Sequence, residues 1–172
     1  GYSWGIAEEV GKNIRLLEMF GLPGIRNLND FFKKKKEQRF ENLNLIRANN
    51  KTVKFEFCPI ICGTNFLDQI KSLDNLKEIK FEKIAYPLLF LPFVSRASEV
   101  IGKRLYLKLD DKNFLLNFNN NIYSNFLNNE ITKVANNVSI KILENYDLFS
   151  ENEWNELYKL SEDTFVEETD SS

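Results

Sequence analysis

LYLKLDDKNFLLNF, residues 105–118, is two alternating runs joined by a polar connection. Leu105, Leu107 and Leu109 alternate with Tyr106 and Lys108; after Asp110-Asp111-Lys112-Asn113, the residues Phe114, Leu116 and Phe118 share a face. A period of two sends successive side chains to opposite faces of a strand, so two such runs around a short turn predict a β-hairpin. The same alternation recurs at Val53, Phe55 and Phe57 around Lys54 and Glu56, and at Ile79 and Phe81 around Lys80 and Glu82. Val138, Ile140 and Ile142 form a further strand. Strands with one apolar and one charged face suit a sheet covered by helices on one side. The expected fold is α+β, with a mostly antiparallel or mixed sheet of about five to six strands and about three to four helices.

The helical period supplies the covering layer. Trp4, Ala7, Val10, Ile14, Leu17 and Phe20 fall at three- and four-residue spacings, with Ser3 as N-cap and Gly21 as the stop before Leu22-Pro23. Gly11 inside this helix costs up to about 1 kcal/mol against alanine, which predicts the close approach of another backbone. A second helix is expected from about Gly24 to Phe40, burying Ile25, Leu28 and Phe32, with Phe31 a further candidate. Phe66, Ile70 and Leu73 mark a short helix between two strands. A last helix is expected from Ser150, where SENE matches a capping box with Glu153, and it would bury Trp154, Leu157 and Tyr158. The continuous apolarity of Tyr86 to Val94 predicts burial on both faces, while Pro87 and Pro92 argue for an edge, a bulge or an extended crossing segment.

With 172 residues, one domain spanning residues 1–172 is expected, and the ends suggest a chain cut at both. A net charge of −2 leaves no global field directed at nucleic acid. The abundance of Lys, Asn, Ile and Phe reads as the codon bias of an AT-rich genome. Histidine is absent, which excludes a Ser-His-Asp triad and a histidine-bearing zinc site from this sequence. Cys58 and Cys62, placed on an extended strand, would lie about 13 Å apart, too far for a disulfide, so reduced thiols and a cytoplasmic location are expected. A nucleophilic Cys62, placed by Gly63 and Thr64, would have no histidine to activate it. No metal site is expected. The apolar run from Ile84 to Val94 is far short of the roughly 20 residues that span a bilayer.

Charge is unevenly placed. Residues Gly24 to Lys54 hold nine Lys/Arg against three Asp/Glu, a net +6, whereas Glu144 to Ser172 hold ten acids and one lysine, a net −9. Lys33, Lys34, Lys35, Lys36 and Arg39 are the candidate interaction surface, and the opposed lobes fit a protein partner or a homo-oligomer. Nucleic acid is disfavoured, because no aromatic-basic motif accompanies the lysines. In VSRASE, Ser95 and Arg96 stand where a buried segment reaches the surface, and Arg96 is suited to clamp a carboxylate or phosphate. Glu8 and Glu9 point about 100° apart on a helix, and Asp110-Asp111 sits in a turn; neither pair makes a general acid/base couple.

GYSWGIAEEVGKNIRLLEMFGLPG at the start resembles the N-terminal signature of a bacterial domain-of-unknown-function family, family 3726, and LSEDTFVEETDSS resembles its C-terminal region. Trp4, Gly5, Glu8, Glu9 and Gly11 carry the resemblance at one end, with Thr164, Phe165 and Ser171 at the other. The resemblance implies a further short helix before the first residue and a Gly/Ala- and Asp-rich tail after the last; it implies no activity. The leading expectation is a non-catalytic binding or assembly protein, such as a partner subunit of a metabolic enzyme. The alternative is a small-molecule enzyme whose site joins the first helix, the Arg96 region and the C-terminal tail, with Trp4, Glu8, Glu9, Ser95 and Arg96 as candidate ligand contacts. No catalytic residue and no cofactor is assigned.

Overall fold

The computed structural model describes residues 3–117, 122–124 and 131–144. Helices α1 (Trp4–Met19) and α2 (Gly24–Glu37) come first, then β1 (Asn49–Asn50), α3 (Pro59–Leu73) and β2 (Glu78–Ala85). A 3-10 turn (Pro87–Leu89) leads into α4 (Leu91–Ile101), followed by β3 (Arg104–Leu109), β4 (Lys112–Leu116), β5 (Ile122–Ser124) and β6 (Val134–Leu143). The strands form one mixed sheet in the order β1-β2-β6-β3-β4-β5. Among the described strand pairs only β1–β2 is parallel. The α+β expectation holds.

The expected hairpin is β3–β4, with Leu109 opposite Lys112 across the Asp110-Asp111 turn. Asp110 takes φ 54, a left-handed conformation that aspartate tolerates better than most residues. Its carboxylate accepts from the backbone N–H of Asn136 and of Asn137, the latter at 2.9 Å, which pins the turn to β6. Ile79 and Phe81 of β2, Leu105, Leu107 and Leu109 of β3, Phe114 and Leu116 of β4, and Val138, Ile140 and Ile142 of β6 face one core. Phe66 and Ile70 of α3 and Phe93, Val94 and Ala97 of α4 fill its other side. Phe66, Phe81 and Phe90 lock the two layers with ring centroids 5.4–6.3 Å apart.

Helix α1 begins and ends as read. Ser3 Oγ accepts from the Ile6 N–H at 3.3 Å. At the other end Gly21 has φ 80, its N–H reaches Glu18 O, and Leu22 N–H reaches Leu17 O at 2.9 Å, the paired bonds of a Schellman stop. The expected stripe holds at Val10, Leu17 and Phe20, with Ile14 packed against the core, but fails in the first turn. Val10, Asn13, Leu17 and Phe20 face inward, whereas Trp4 is 78% exposed and Ala7 is exposed. Gly11 has open space where a Cβ would stand, so no backbone approaches it. The close approaches belong to Gly24, where a Cβ would lie 3.0 Å from Leu17 Cβ, and to Gly63, where it would lie 2.2 Å from the Phe93 ring.

Four further expectations give way. Val53 to Phe57 is not a strand: Val53 is 94% exposed, and Phe57 alone pairs, by bridges to Glu41 and Ile84. The Glu41 carboxylate takes the N–H groups of Val53, Lys54 and Phe55 at 3.1, 2.5 and 2.9 Å, leaving none of the three for a ladder. Cys58 and Cys62 are not on extended chain either. Cys58 is the N-cap of α3 and Cys62 donates its N–H to Cys58 O, one helical turn apart; both cysteines are buried and neither is in a disulfide. The prolines of the run after Tyr86 interrupt no strand. Each stands in the first turn of a helical segment, where its missing N–H costs nothing, and the segment from Tyr86 to Val94 is buried throughout. Helix α2 stops at Glu37 and buries Phe31 while Ile25 and Phe32 are exposed. Phe118 and the helix expected from Ser150, with Trp154, Leu157 and Tyr158, lie outside the described residues.

Candidate functional site

The five candidate ligand contacts separate into groups. Arg96, half-buried on α4, is ion-paired with Glu9 on α1, and its Nη1 also donates to Asn13 Oδ1 at 3.4 Å. Glu9 additionally lies 3.7 Å from Lys12 Nζ. Asn13 is 3% exposed and its Nδ2 donates to no protein acceptor. One face of α1 is thus clasped to α4 through a charged and hydrogen-bonded cluster. Trp4 and Glu8 lie one turn apart on the exposed face of the same helix, away from it. Ser95 is buried, and its carbonyl accepts from Ser98 Oγ at 2.7 Å. A shallow cavity of about 560 Å³ beside Arg96 is lined by Leu67, Asp68, Glu99 and Val100, so acids outnumber the single cation there. The expected junction of α1 with the Arg96 segment is real, but Arg96 spends its charge on Glu9.

The basic candidates lie together on the surface. Lys33, Lys35, Lys36 and Arg39 are exposed and Lys34 is half-buried. Lys34, Lys35 and Lys36 stand in the last turn of α2, where the helix dipole favours cations. Among the described residues no ion pair includes Lys33, Lys34, Lys36 or Arg39. Beside them a cavity of about 400 Å³ opens between the end of α2 and the start of α3, lined by Lys35, Gln38, Arg39, Phe40, Asn42, Cys58 and Ile61. Ile25 and Phe32, seven residues apart on α2, add exposed apolar surface on one helix face.

Two groups, the Cys62 thiol and the Tyr86 phenol, are shifted toward their protonated forms. Burial, and secondarily Cys58, push the Cys62 thiol well above its ordinary value, so it is no thiolate nucleophile. Burial, then the Asp30 carboxylate that accepts from its hydroxyl, raises the Tyr86 phenol. Among the described residues no group of three or more Cys, Asp or Glu is placed to hold a metal ion. No described helix is long and apolar enough to cross a membrane.

Sequence reasoning missed a further concavity among the described residues. It is a groove of about 800 Å³ on the polar face of the sheet, bordered by Lys51, Lys80, Lys108 and Lys141, with Ser139 and Tyr106 between them. Lys80 and Lys108 were visible as the polar members of alternating strands. Only the strand order, which local periodicity does not encode, brings them to the two sides of β6.

Residues 1–55 match the family described as Protein of unknown function (DUF3726). No curated protein and no solved structure matches the chain. The match covers the N-terminal resemblance, from α1 through the basic end of α2 to the Glu41-held loop; the resemblance at Thr164, Phe165 and Ser171 falls outside both the match and the described residues.

Proposed function

We propose that this chain is a non-catalytic binding or assembly protein that takes an acidic protein surface on the end of α2, in the manner of a partner subunit. The observation that carries the reading is the run Lys33, Lys34, Lys36 and Arg39 without an acidic partner among the described residues. Like charges set this close repel one another, and an anionic partner relieves that cost while steering its own approach. The exposed Ile25 and Phe32 on the same helix would supply apolar area to such a contact. Native mass spectrometry of the protein purified gently from its source, beside a variant with Lys33 to Lys36 all changed to Glu, tests it. A protein complex that is lost on charge reversal is expected; a complex of unchanged composition and stability removes this surface.

A second reading, a small-molecule enzyme, has one observation in its favour: Glu9, Asn13 and Arg96 converge from two helices. It requires Arg96→Ala to abolish binding of a retained small molecule in the same spectra while thermal melting still shows a folded chain. Retention of that molecule by Arg96→Ala eliminates it.

A further inference from the structure

We propose that the polar face of the sheet is a binding site for a small phosphorylated ligand, its phosphate seated over the Ser139 hydroxyl between Lys80 and Lys108. The register makes the juxtaposition. Ser139 on β6 stands directly opposite Lys80 on β2 and directly opposite Lys108 on β3. Residues in register share a face, so the two lysines stand about 10 Å apart along the sheet, twice the strand spacing, with Ser139 midway between them. Lys141 lies two residues along β6 on the same face, about 7 Å away, and Lys51 enters from the loop after β1. The groove they border, about 800 Å³, has the size of a small-molecule site.

Four lysines and three carboxylates, Glu78, Glu82 and Asp110, border the groove, and the carboxylates keep their charge whatever N–H groups they accept, which leaves a net charge of +1. No ion pair among the described residues includes Lys51, Lys80, Lys108 or Lys141. Two of the three acids at the groove are committed to other donors. Glu82 accepts from Thr52 N–H at 3.2 Å, and Asp110 accepts from Asn136 and Asn137 N–H. The third, Glu78, stands opposite Lys141, one row away from Ser139, and makes no ion pair with it. Directly opposite Ser139 on both neighbouring strands stand lysines and no acid, so the local charge at the hydroxyl is positive although the groove as a whole is nearly balanced.

The residue types select the ligand class. No arginine lines the groove, so it lacks the planar fork that suits a lone carboxylate. Several ammonium groups converging from different strands suit a phosphate, whose charge is spread over several oxygens. Asn49, Asn137 and the half-buried Tyr106 ring lie beside the lysines and offer hydrogen bonds and an apolar platform to the body of such a molecule.

The test is isothermal titration of the full chain with inorganic pyrophosphate and, in a parallel arm, with adenosine monophosphate. Saturable one-to-one binding is expected. Lys80→Ala and Lys108→Ala should each weaken it by about tenfold, as expected for losing one charge-assisted contact. Lys36→Ala on α2, outside the groove, should leave it unchanged, and thermal melting of all three variants should match the parent. Tighter binding of the nucleotide would place recognition in both phosphate and body; equal binding would place it in the phosphate alone. Equal weakening by Lys36→Ala, absence of saturation, or indifference to both groove substitutions would overturn the site. So would an oligonucleotide that binds far more tightly and loads several chains per strand, because its occupant would then be a polymer. Since α2 takes no part, failure here leaves the acidic-partner surface standing, and failure there leaves this groove.

Discussion

At the scale of the residue, the glycines show how little of a packing relation is written locally. Gly11 sits mid-helix at a propensity cost, and that cost led to the expectation of a close neighbour; the space beside it is empty. Gly11→Ala should therefore stabilise the protein by about 0.5–1 kcal/mol, since it removes the penalty and meets no atom. Gly63 draws no attention in the sequence except as the residue after Cys62. Yet a methyl group there would lie 2.2–2.8 Å from three carbons of the ring of Phe93 on α4, itself fully buried. Gly63→Ala should cost about 2–3 kcal/mol by overpacking. Urea denaturation of both variants checks the pair, and opposite signs are expected. Equal and opposite failure, with Gly63→Ala neutral, would mean that Phe93 has another place to go.

At the scale of the element, residues 51–57 separate a pattern from its realisation. Val53, Phe55 and Phe57 alternate as a strand should, but a strand needs a neighbour for its backbone groups. The Glu41 carboxylate supplies the acceptor instead. Hydrogen bonds from the Phe55 and Lys54 N–H groups, ahead of that from Val53, hold this carboxyl below its ordinary value. A depressed carboxyl contributes stability that is complete above its unfolded pKa and lost as pH falls through its folded pKa. Glu41→Gln keeps an acceptor oxygen and removes the charge. The parent should accordingly be the more stable of the two at pH 7, by about 1 kcal/mol given the solvent exposure of the bonds. That gap should close as the pH falls through and below the usual carboxylate range. Melting curves across pH 2–7 measure it, and a gap that does not change with pH would remove the charge from the explanation. Helix α1 shows the opposite case. Its boundaries follow from Ser3 and Gly21, short-range signals that tertiary packing had no reason to override.

At the scale of the whole molecule, the basic stretch from Gly24 to Lys54 and the acidic stretch from Glu144 to Ser172 carry charges of +6 and −9. Contact of the α2 surface with an acidic partner should weaken steeply with salt, because exposed charges are screened within about 8 Å at physiological ionic strength. The complex lost on reversing Lys33 to Lys36 should therefore also dissociate between 0.1 and 0.5 M salt, as the screening length falls from about 10 Å to about 4 Å. If mass spectrometry finds that complex to be two copies of this chain, the acidic stretch of the second copy is the partner.

How much was legible follows from how far each determinant reaches along the chain. The sequence by itself determined β2, the β3–β4 hairpin and β6, because the two-residue period and the Asp110-Asp111 turn act within a few residues. It determined the caps of α1 for the same reason, and the α+β class from the sum of those elements. It also excluded any chemistry that needs a histidine of this chain. Tertiary structure alone decided that Phe31 rather than Phe32 is buried, that Trp4 faces solvent, and that Pro87 and Pro92 open helical turns. It alone paired Glu9 with Arg96 across 87 residues of chain. And it alone set Lys80 and Lys108 on either side of Ser139, because strand order is settled by which faces can be buried together, a condition that no local stretch contains.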